Sequence, residues 1–327
     1  MPRPGSLLRS VAAVAVLLLA LAGCGNDAPS GQEGGAQGAF PTTLTHAFGR
    51  TTIPAEPKRV VAIGYNEADF VLSLGVVPVG SREFSGGFDW QNRPWAQQAL
   101  GGQRSEPLNG TTVPIEQVAA LQPDLILGVY SFMDKATYDS LSKIAPTVAQ
   151  PTPDGEDAAT WQEQTRITGQ ALGRSQQADQ VVADTEKKFA DVRAAHPDFA
   201  GTKLTVDFVV EGTPTNLGTD DLRAQAFQGL GFQVPATSTE LSAERQGELD
   251  GDVIAVLGRS RAEAMADPVF ASIPAVRAGR VAFLSDTFTT QFAGALGYSS
   301  PLSLPYAVDE MAPKLDAALK GQGVTGS

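Results

Sequence analysis

A long run of helically spaced apolar residues lies in the middle of the chain. The residues on this face are Ala178, Val181, Val182, Phe189 and Val192. Steps of three, four and seven residues predict an amphipathic helix. Gly173 followed by Ser175 predicts the end of one helix and the N-cap of the next. Residues 157–200 should therefore hold two consecutive helices, the second over about 175–196 and roughly 33 Å long.

On the N-terminal side of these helices, short apolar runs alternate with helical patterns. A β-hairpin is predicted over 43–53, with its turn near Gly49. The strands predicted next are 59–64, 76–80 and 124–128, and the helices are 66–74 and 115–121. Strands that alternate with helices indicate a parallel sheet that helices cover on both faces.

The same order begins again on the C-terminal side. The predicted strands are 203–210, 252–257 and 280–284, and the helical segments are 222–230, a turn near 268–273 and a final helix over about 304–319. The pattern predicts an α/β chain with a similar half on each side of one long helix.

One segment of each half matches a segment of the other. Glu116 lies in a predicted first helical turn and precedes a Leu by five residues and an Asp by eight, and Glu244 does the same. Such self-similarity indicates an internal duplication. The first half carries an insertion at about 82–110 that the second half lacks.

The first residues carry an export pattern. Arg3 and Arg9 precede a short apolar run, and Leu21-Ala22-Gly23-Cys24 follows it. The run is too short for a stable membrane-spanning helix, which favours a cleaved signal peptide over 1–23. The ending resembles a bacterial lipobox, in which the cysteine is acylated. Cys24 is the only cysteine, so we expect it to carry a lipid anchor, followed by a solvated tether over 24–39.

Composition and missing motifs exclude several functions. The chain has 24 Lys and Arg against 36 Asp and Glu, a formal net charge of −12, which disfavours nucleic acid as a partner. His46 and His196 are the only histidines, too few for a zinc receptor, so no direct metal site is expected. Hydrolase elbows, P-loops and zinc-protease motifs are absent, and we predict that the chain is not an enzyme.

Several motifs in the right order resemble the helical-backbone (class III) substrate-binding proteins of ABC importers, the receptors for ferric siderophores, cobalamin and haem. These motifs are Pro57–Val61, Leu74–Gly80, Leu121–Ile126, Leu141–Thr147, Pro274–Val281 and Ser303–Glu310. The resemblance implies two Rossmann-like lobes, at 40–156 and 201–323, each a mainly parallel sheet flanked by helices. One long backbone helix within 157–200 would join them.

The segment 287–306 is most similar to the siderophore branch of that family. The resemblance then implies a lipid-anchored receptor on the extracytoplasmic face of the cell membrane, which hands a ferric siderophore to an ABC permease and its ATPase. A cobalamin or haem receptor of the same fold is an alternative, and so is a surface lipoprotein that acts as an enzyme or sensor. Iron would arrive already chelated, with no covalently bound cofactor.

The family places one glutamate on each lobe against arginines of the permease. The matching positions here are Glu116 and Glu244, whose paired placement suits a two-fold symmetric partner. The structural alternative is that each carboxylate stabilises only the N-terminus of its own helix, by about 0.3–1 kcal/mol.

Candidate ligand contacts come from the insertion and from the carboxyl ends of predicted strands. Aromatic faces and guanidinium groups in an acidic chain suit an aromatic or anionic chelate, and open α/β sheets bind ligands at strand ends. The candidates are Arg82, Trp90, Trp95 and Arg104 in the insertion, and Tyr65, Asn66, Tyr130, Phe132, Arg223, Phe288 and Tyr298 at the strand ends. Each could instead be a core residue or part of a surface loop packed by its own side chains.

Overall fold

The computed structural model describes residues 39–82, 88–110, 112–152 and 159–323. The predicted signal peptide, Cys24 and nearly all of the predicted tether lie outside the described residues. The described chain begins with an antiparallel hairpin of β1 (Thr42–His46) and β2 (Gly49–Ile53). Gly49 has φ 126° at the turn, a conformation that glycine adopts without strain. The hairpin prediction is confirmed.

The first lobe is built on a five-stranded parallel sheet. Its strands are β3 (Val60–Ala62), β4 (Gly80–Arg82), β5 (Glu106–Leu108), β6 (Leu125–Gly128) and β7 (Thr147–Ala149), in the order β5-β4-β3-β6-β7. Its helices are α1 (Glu67–Ser73), α2 (Gln97–Leu100), α3 (Ile115–Ala120) and α4 (Lys135–Leu141). The three residues of β3 are all buried, as expected for a strand covered on both faces. The strand predicted over 76–80 begins only at Gly80, because Pro78 has no N–H to donate to the ladder.

Two helices follow, as the apolar spacing predicted. They are α5 (Trp161–Ala171) and α6 (Ser175–Ala195), and Gly173 separates them with φ 69°. The N-cap of α6 is Arg174, and no side chain caps it, so the prediction of a Ser175 cap was wrong by one residue. Ala178 packs in the core of the first lobe, whereas Val182 and Phe189 pack in the core of the second. One helix therefore belongs to both hydrophobic cores.

The second lobe also has a five-stranded sheet. Its strands are β8 (Leu204–Val210), β9 (Thr213–Asn216), β10 (Thr239–Glu240), β11 (Val253–Leu257) and β12 (Val281–Ser285), in the order β10-β9-β8-β11-β12. Its helices are α7 (Leu222–Gly229), α8 (Arg261–Ala266), α9 (Pro268–Ser272), α10 (Pro274–Arg277), α11 (Gln291–Tyr298) and α12 (Ser303–Leu319). Short 3-10 helices elsewhere are Trp90–Asn92, Pro94–Ala96, Pro197–Phe199 and Ala243–Leu249.

The two sheets agree at their centres and differ at one edge. The pairs of β8 with β11 and of β11 with β12 are parallel, like their counterparts in the first lobe, but β9 and β10 pair antiparallel. Strands β8 and β9 are joined by Glu211 and Gly212, with φ 50° and 82°. Two left-handed residues form the turn that suits a two-residue hairpin. Between α7 and the 3-10 helix Ala243–Leu249 the second lobe has only β10, whereas the first lobe has β4, the insertion and β5 between α1 and α3.

The inserted segment joins the lobes through a buried carboxylate. Asp69 of α1 is fully buried, and its Oδ1 accepts hydrogen bonds from Arg93 Nε at 2.7 Å and Nη2 at 2.6 Å. Its Oδ2 accepts from Trp95 Nε1 at 2.7 Å and from Ser300 Oγ at 3.0 Å. Arg93 and Trp95 belong to the insertion, and Ser300 lies between α11 and α12 of the second lobe. One side chain thus connects three parts of the chain.

An aromatic cluster surrounds this network. Phe88 stacks on Trp95 with ring centroids 5.7 Å apart, and Tyr298 lies edge-on to both at 6.2 and 6.1 Å. Asn66 Nδ2 donates to the carbonyl oxygen of Tyr298 at 3.0 Å, a further bond between the lobes. Phe88, Trp90 and Tyr298 are all buried. The insertion is therefore an interdomain joint.

Replacing Asp69 with Asn should strongly destabilise the protein. The guanidinium of Arg93, 2% exposed, would lose its counter-charge inside the core, which costs about 3–5 kcal/mol. Urea unfolding monitored by circular dichroism would measure the loss. The matched control is Asp139→Asn, which breaks the exposed Lys135–Asp139 pair and should change stability by less than about 0.5 kcal/mol. Equal losses in the two variants would contradict this account of the joint.

Candidate ligand-binding cleft

The first sheet brings four of the predicted ligand residues to one edge. Tyr65 follows β3, Arg82 ends β4, and Tyr130 and Phe132 follow β6. These strands are parallel, so their carboxyl ends lie on the same side of the sheet. The guanidinium carbon of Arg82 lies 4.1 Å from the ring centroid of Tyr65. Phe132 packs against both tyrosines, 4.7 Å from Tyr130 and 6.2 Å from Tyr65. We call these four residues the first wall.

Phe132 is the most distinctive member of the first wall. It has φ 53°, a backbone conformation that bulky residues seldom adopt. Phe132 is 46% exposed, more than any other large hydrophobic residue in the described chain. Strained backbone and an exposed aromatic ring are both unfavourable for folding, and such strain concentrates at functional sites.

A buried glutamate holds the loop that carries Tyr130. Glu67 of α1 accepts a hydrogen bond from the backbone N–H of Val129 at 2.7 Å, and a longer one from that of Tyr130 at 3.5 Å. Gly64 makes room for this carboxylate, because a Cβ at Gly64 would lie 1.8 Å from Glu67 Oε2. Burial raises the pKa of Glu67 to about 7, although the backbone N–H donors oppose the rise. Sequence reasoning missed Glu67, which looked like an ordinary first-turn acid.

The second lobe contributes a wall of similar chemistry. Arg223 lies in the first turn of α7, with its guanidinium carbon 4.1 Å from the ring centroid of Phe208. Phe208 in turn packs against Phe288, 4.9 Å away. Asp221 pairs with Arg223 through both carboxylate oxygens, Oδ1 accepting from Nε at 2.8 Å and Oδ2 from Nη2 at 2.5 Å. We call Phe208, Asp221, Arg223 and Phe288 the second wall.

The two walls act on each other through Tyr130. The pKa of Tyr130 is raised to about 12, first by burial and then by the negative charge of Asp221, with Arg223 acting in the opposite direction. Tyr130 belongs to the first lobe and the Arg223–Asp221 pair to the second. The phenol of Tyr130 therefore lies within electrostatic reach of the Asp221–Arg223 pair of the second wall.

Five of the predicted ligand contacts lie elsewhere. Asn66 and Tyr298 are 1% exposed and Trp90 is 6% exposed, so these residues lie in the interior and outside both walls, and their contact with a ligand stays a prediction. The indole of Trp95 donates to Asp69 inside the joint. Arg104 donates hydrogen bonds to the side chains of Gln91 and Asn92, so its partners lie within the insertion itself. The insertion thus fits the structural alternative of a segment packed by its own side chains.

The paired glutamates occupy matching places. Glu116 is exposed in the first turn of α3, and Glu244 is exposed in the first turn of the 3-10 helix Ala243–Leu249. Each helix leads directly into a parallel strand, β6 or β11, and runs in the opposite direction to it. The N-terminus of each helix therefore lies at the edge of the sheet where the parallel strands end. Their role in docking stays a prediction.

Neither a metal cluster nor a membrane helix is found in the described part of the chain. Over the described ranges, no three His, Cys, Asp or Glu side chains are grouped so that they could hold a metal ion. Within the same ranges, every helix is too short or too polar to cross a bilayer.

The family model for periplasmic binding proteins matches residues 60–287. The chain belongs to this family, whose members are binding proteins and not enzymes. A curated relative, the probable siderophore-binding lipoprotein YfiY of Bacillus subtilis, is 27% identical over 71% of this chain and 69% of its own length.

Two solved structures have the same fold. A periplasmic solute binding protein from Mycobacterium smegmatis is 32% identical, with TM-score 0.74 over 85% of this chain and 98% of its own. PiaA of Streptococcus pneumoniae in complex with ferrichrome is 27% identical, with TM-score 0.74 over 85% of this chain and 99% of its own. The predicted fold class and the predicted family resemblance are confirmed.

The buried Glu67 should make stability depend on pH. Its pKa is higher in the folded state than its ordinary 4.5, so the folded chain binds this proton more tightly than the unfolded chain. The contribution is complete below about pH 4.5 and is lost as the pH rises through about 7, by up to roughly 3 kcal/mol. Urea unfolding between about pH 5 and 8 should show a shallower pH dependence for Glu67→Gln than for the unmodified protein.

Burial also raises the pKa of Asp207, to about 6 and against the opposing charge of Arg259. Asp207 is present in both proteins, so its contribution cancels when they are compared. An unchanged pH dependence in Glu67→Gln would show that this carboxyl group does not titrate in the folded state as described.

Proposed function

We propose that this protein is the extracytoplasmic receptor of an ABC iron-uptake system and binds a ferric siderophore between the first and second walls. The observation that carries the proposal is that each wall has an arginine packed on an aromatic ring: Arg82 on Tyr65 and Arg223 on Phe208. The relatives support the choice of ligand, since one is named a probable siderophore-binding lipoprotein and another was solved with ferrichrome.

The chemistry of the walls suits a chelate larger than a bare ion. Aromatic rings provide apolar surface for the organic part of a siderophore, and guanidinium groups donate to its oxygen ligands. The chelator supplies the ligands for iron, so the protein needs no coordinating side chains of its own. In this account the receptor performs no chemical reaction on the chelate.

Delivery requires a position at the membrane. We propose that Cys24 is acylated and anchors the receptor to the outer face of the cell membrane through the tether of 24–39. Support comes from the lipobox-like Leu21–Cys24 and from relatives named as lipoproteins. Mass spectrometry of the N-terminal peptide from membranes tests this, and an unmodified Cys24 would contradict it.

Ferric siderophores should quench the fluorescence of Trp90, Trp95 and Trp161 on titration. Phe132→Ala should weaken binding at least about tenfold, because it removes the exposed ring of the first wall. The matched control is Met265→Ala in α8, which truncates another exposed apolar side chain and should leave affinity unchanged. If no ferric siderophore changes the tryptophan fluorescence, the proposed ligand class is refuted. Response to cobalamin or haem alone would favour the alternative cargo.

Glu116 and Glu244 are proposed to meet arginines of the permease. The double variant Glu116→Ala/Glu244→Ala should abolish iron uptake in cells while the purified protein keeps its affinity for the chelate, since neither residue belongs to a cleft wall. Radioactive iron uptake and fluorescence titration would be measured together. The control is Glu186→Ala/Glu310→Ala, which removes two exposed glutamates from α6 and α12. Normal uptake by the first double variant would remove the docking role.

A further inference from the structure

In the second lobe, two arginines pack their guanidinium groups on aromatic rings. Each of these arginines forms an ion pair with an aspartate of the same lobe. Arg223 on Phe208 pairs with Asp221, and Arg259, whose guanidinium carbon is 4.2 Å from the ring centroid of Phe270, pairs with Asp207. A receptor for a polyanion would need these positive charges to face the ligand without a neighbouring carboxylate. The second wall therefore offers hydrogen-bond donors to a ligand, while the wall as a whole has little net charge.

The Asp221–Arg223 pair is held in place by the backbone. Asp221 is the N-cap of α7, and its Oδ1 accepts from the backbone N–H of Arg223 at 2.9 Å as well as from that residue's Nε. Turning the carboxylate away from Arg223 would also leave the helix without its cap. A bound anion therefore cannot displace Asp221 without losing both interactions.

The first wall adds few charges. Tyr65, Tyr130 and Phe132 are uncharged side chains, and the raised pKa of Tyr130 keeps its phenol protonated at neutral pH. Arg82 contributes one guanidinium. Across the two walls, two guanidinium groups therefore stand against one carboxylate. The exposed Glu211 and Asp286, at the ends of β8 and β12, add negative charge to the same edge of the second sheet.

Ferric siderophores differ sharply in charge. Three hydroxamates are three monoanions and balance the charge of ferric iron, so the chelate is uncharged. Three catecholates are three dianions and leave a trianion. Against these walls a trianion would keep at least two charges uncompensated, and burying uncompensated charge is costly. An uncharged chelate would instead meet aromatic rings and oriented donors.

We propose that the cleft selects uncharged ferric trihydroxamates over trianionic ferric tris-catecholates, and that Asp221 sets this preference. The inference rests on the proposed function, because it concerns which siderophore the same cleft accepts.

The test compares ferrichrome with the ferric complex of a synthetic tris-catecholate, by fluorescence titration at fixed salt. The unmodified protein should bind ferrichrome at least about tenfold more tightly. Asp221→Asn should narrow that ratio at least about fivefold by strengthening catecholate binding, because Asn keeps the N-cap and removes the charge. Asp221→Ser, which also caps helices, is the second variant in case the Asn protein folds poorly.

The control is Asp179→Asn, which removes the same charge from the exposed Arg166–Asp179 pair on the bridging helices and should leave the ratio unchanged. Tighter binding of the tris-catecholate by the unmodified protein would overturn the inference and leave the proposed function standing. An unchanged ratio in both Asp221 variants would overturn the role of Asp221. Failure of both ferric chelates to bind would instead count against the proposed function itself.

Discussion

The buried carboxylate of Asp69 is the constraint on which the arrangement of the lobes depends. Asp69 lies in α1 where three chain segments meet, and its carboxylate accepts hydrogen bonds from Arg93, Trp95 and Ser300. A buried anion is tolerated only when donors surround it, so these segments must come together for any of them to be buried. Their assembly places the second lobe against α1, and α1 also carries Glu67, which holds the loop of the first wall.

A second constraint comes from α6, whose residues pack in both hydrophobic cores. A flexible linker would let the lobes separate freely, whereas a helix shared by both cores resists bending because its side chains are fixed at each end. With the Asp69 joint, the lobes are held at two places. The walls are then largely preformed. Ordering them on ligand binding costs less free energy than it would in a receptor whose lobes move freely about a hinge.

The sequence was sufficient for features that depend on local patterns. Helical spacing predicted α6, glycines predicted the hairpin turn and the break at Gly173, and the repeated Glu-Leu-Asp spacing predicted similar lobes. The antiparallel edge of the second sheet was missed, although Glu211-Gly212 is a turn signal. The joint could not be predicted in this way: Asp69 and Ser300 are 231 residues apart, and an arginine that pairs inside the core looks the same in sequence as one that meets a ligand.

The same ambiguity explains why the insertion was assigned to the ligand. Aromatic residues and arginines suit a chelate, but they equally suit a buried carboxylate with apolar surroundings. The deciding factor is where the counter-charge lies. Arg93 finds Asp69 within the interior, and Arg223 finds Asp221 at the edge of the cleft, with its side chain 32% exposed. For these two arginines, the position of the aspartate partner decides whether the guanidinium is structural or remains a donor, its charge balanced by a carboxylate, at the surface that a ligand would meet.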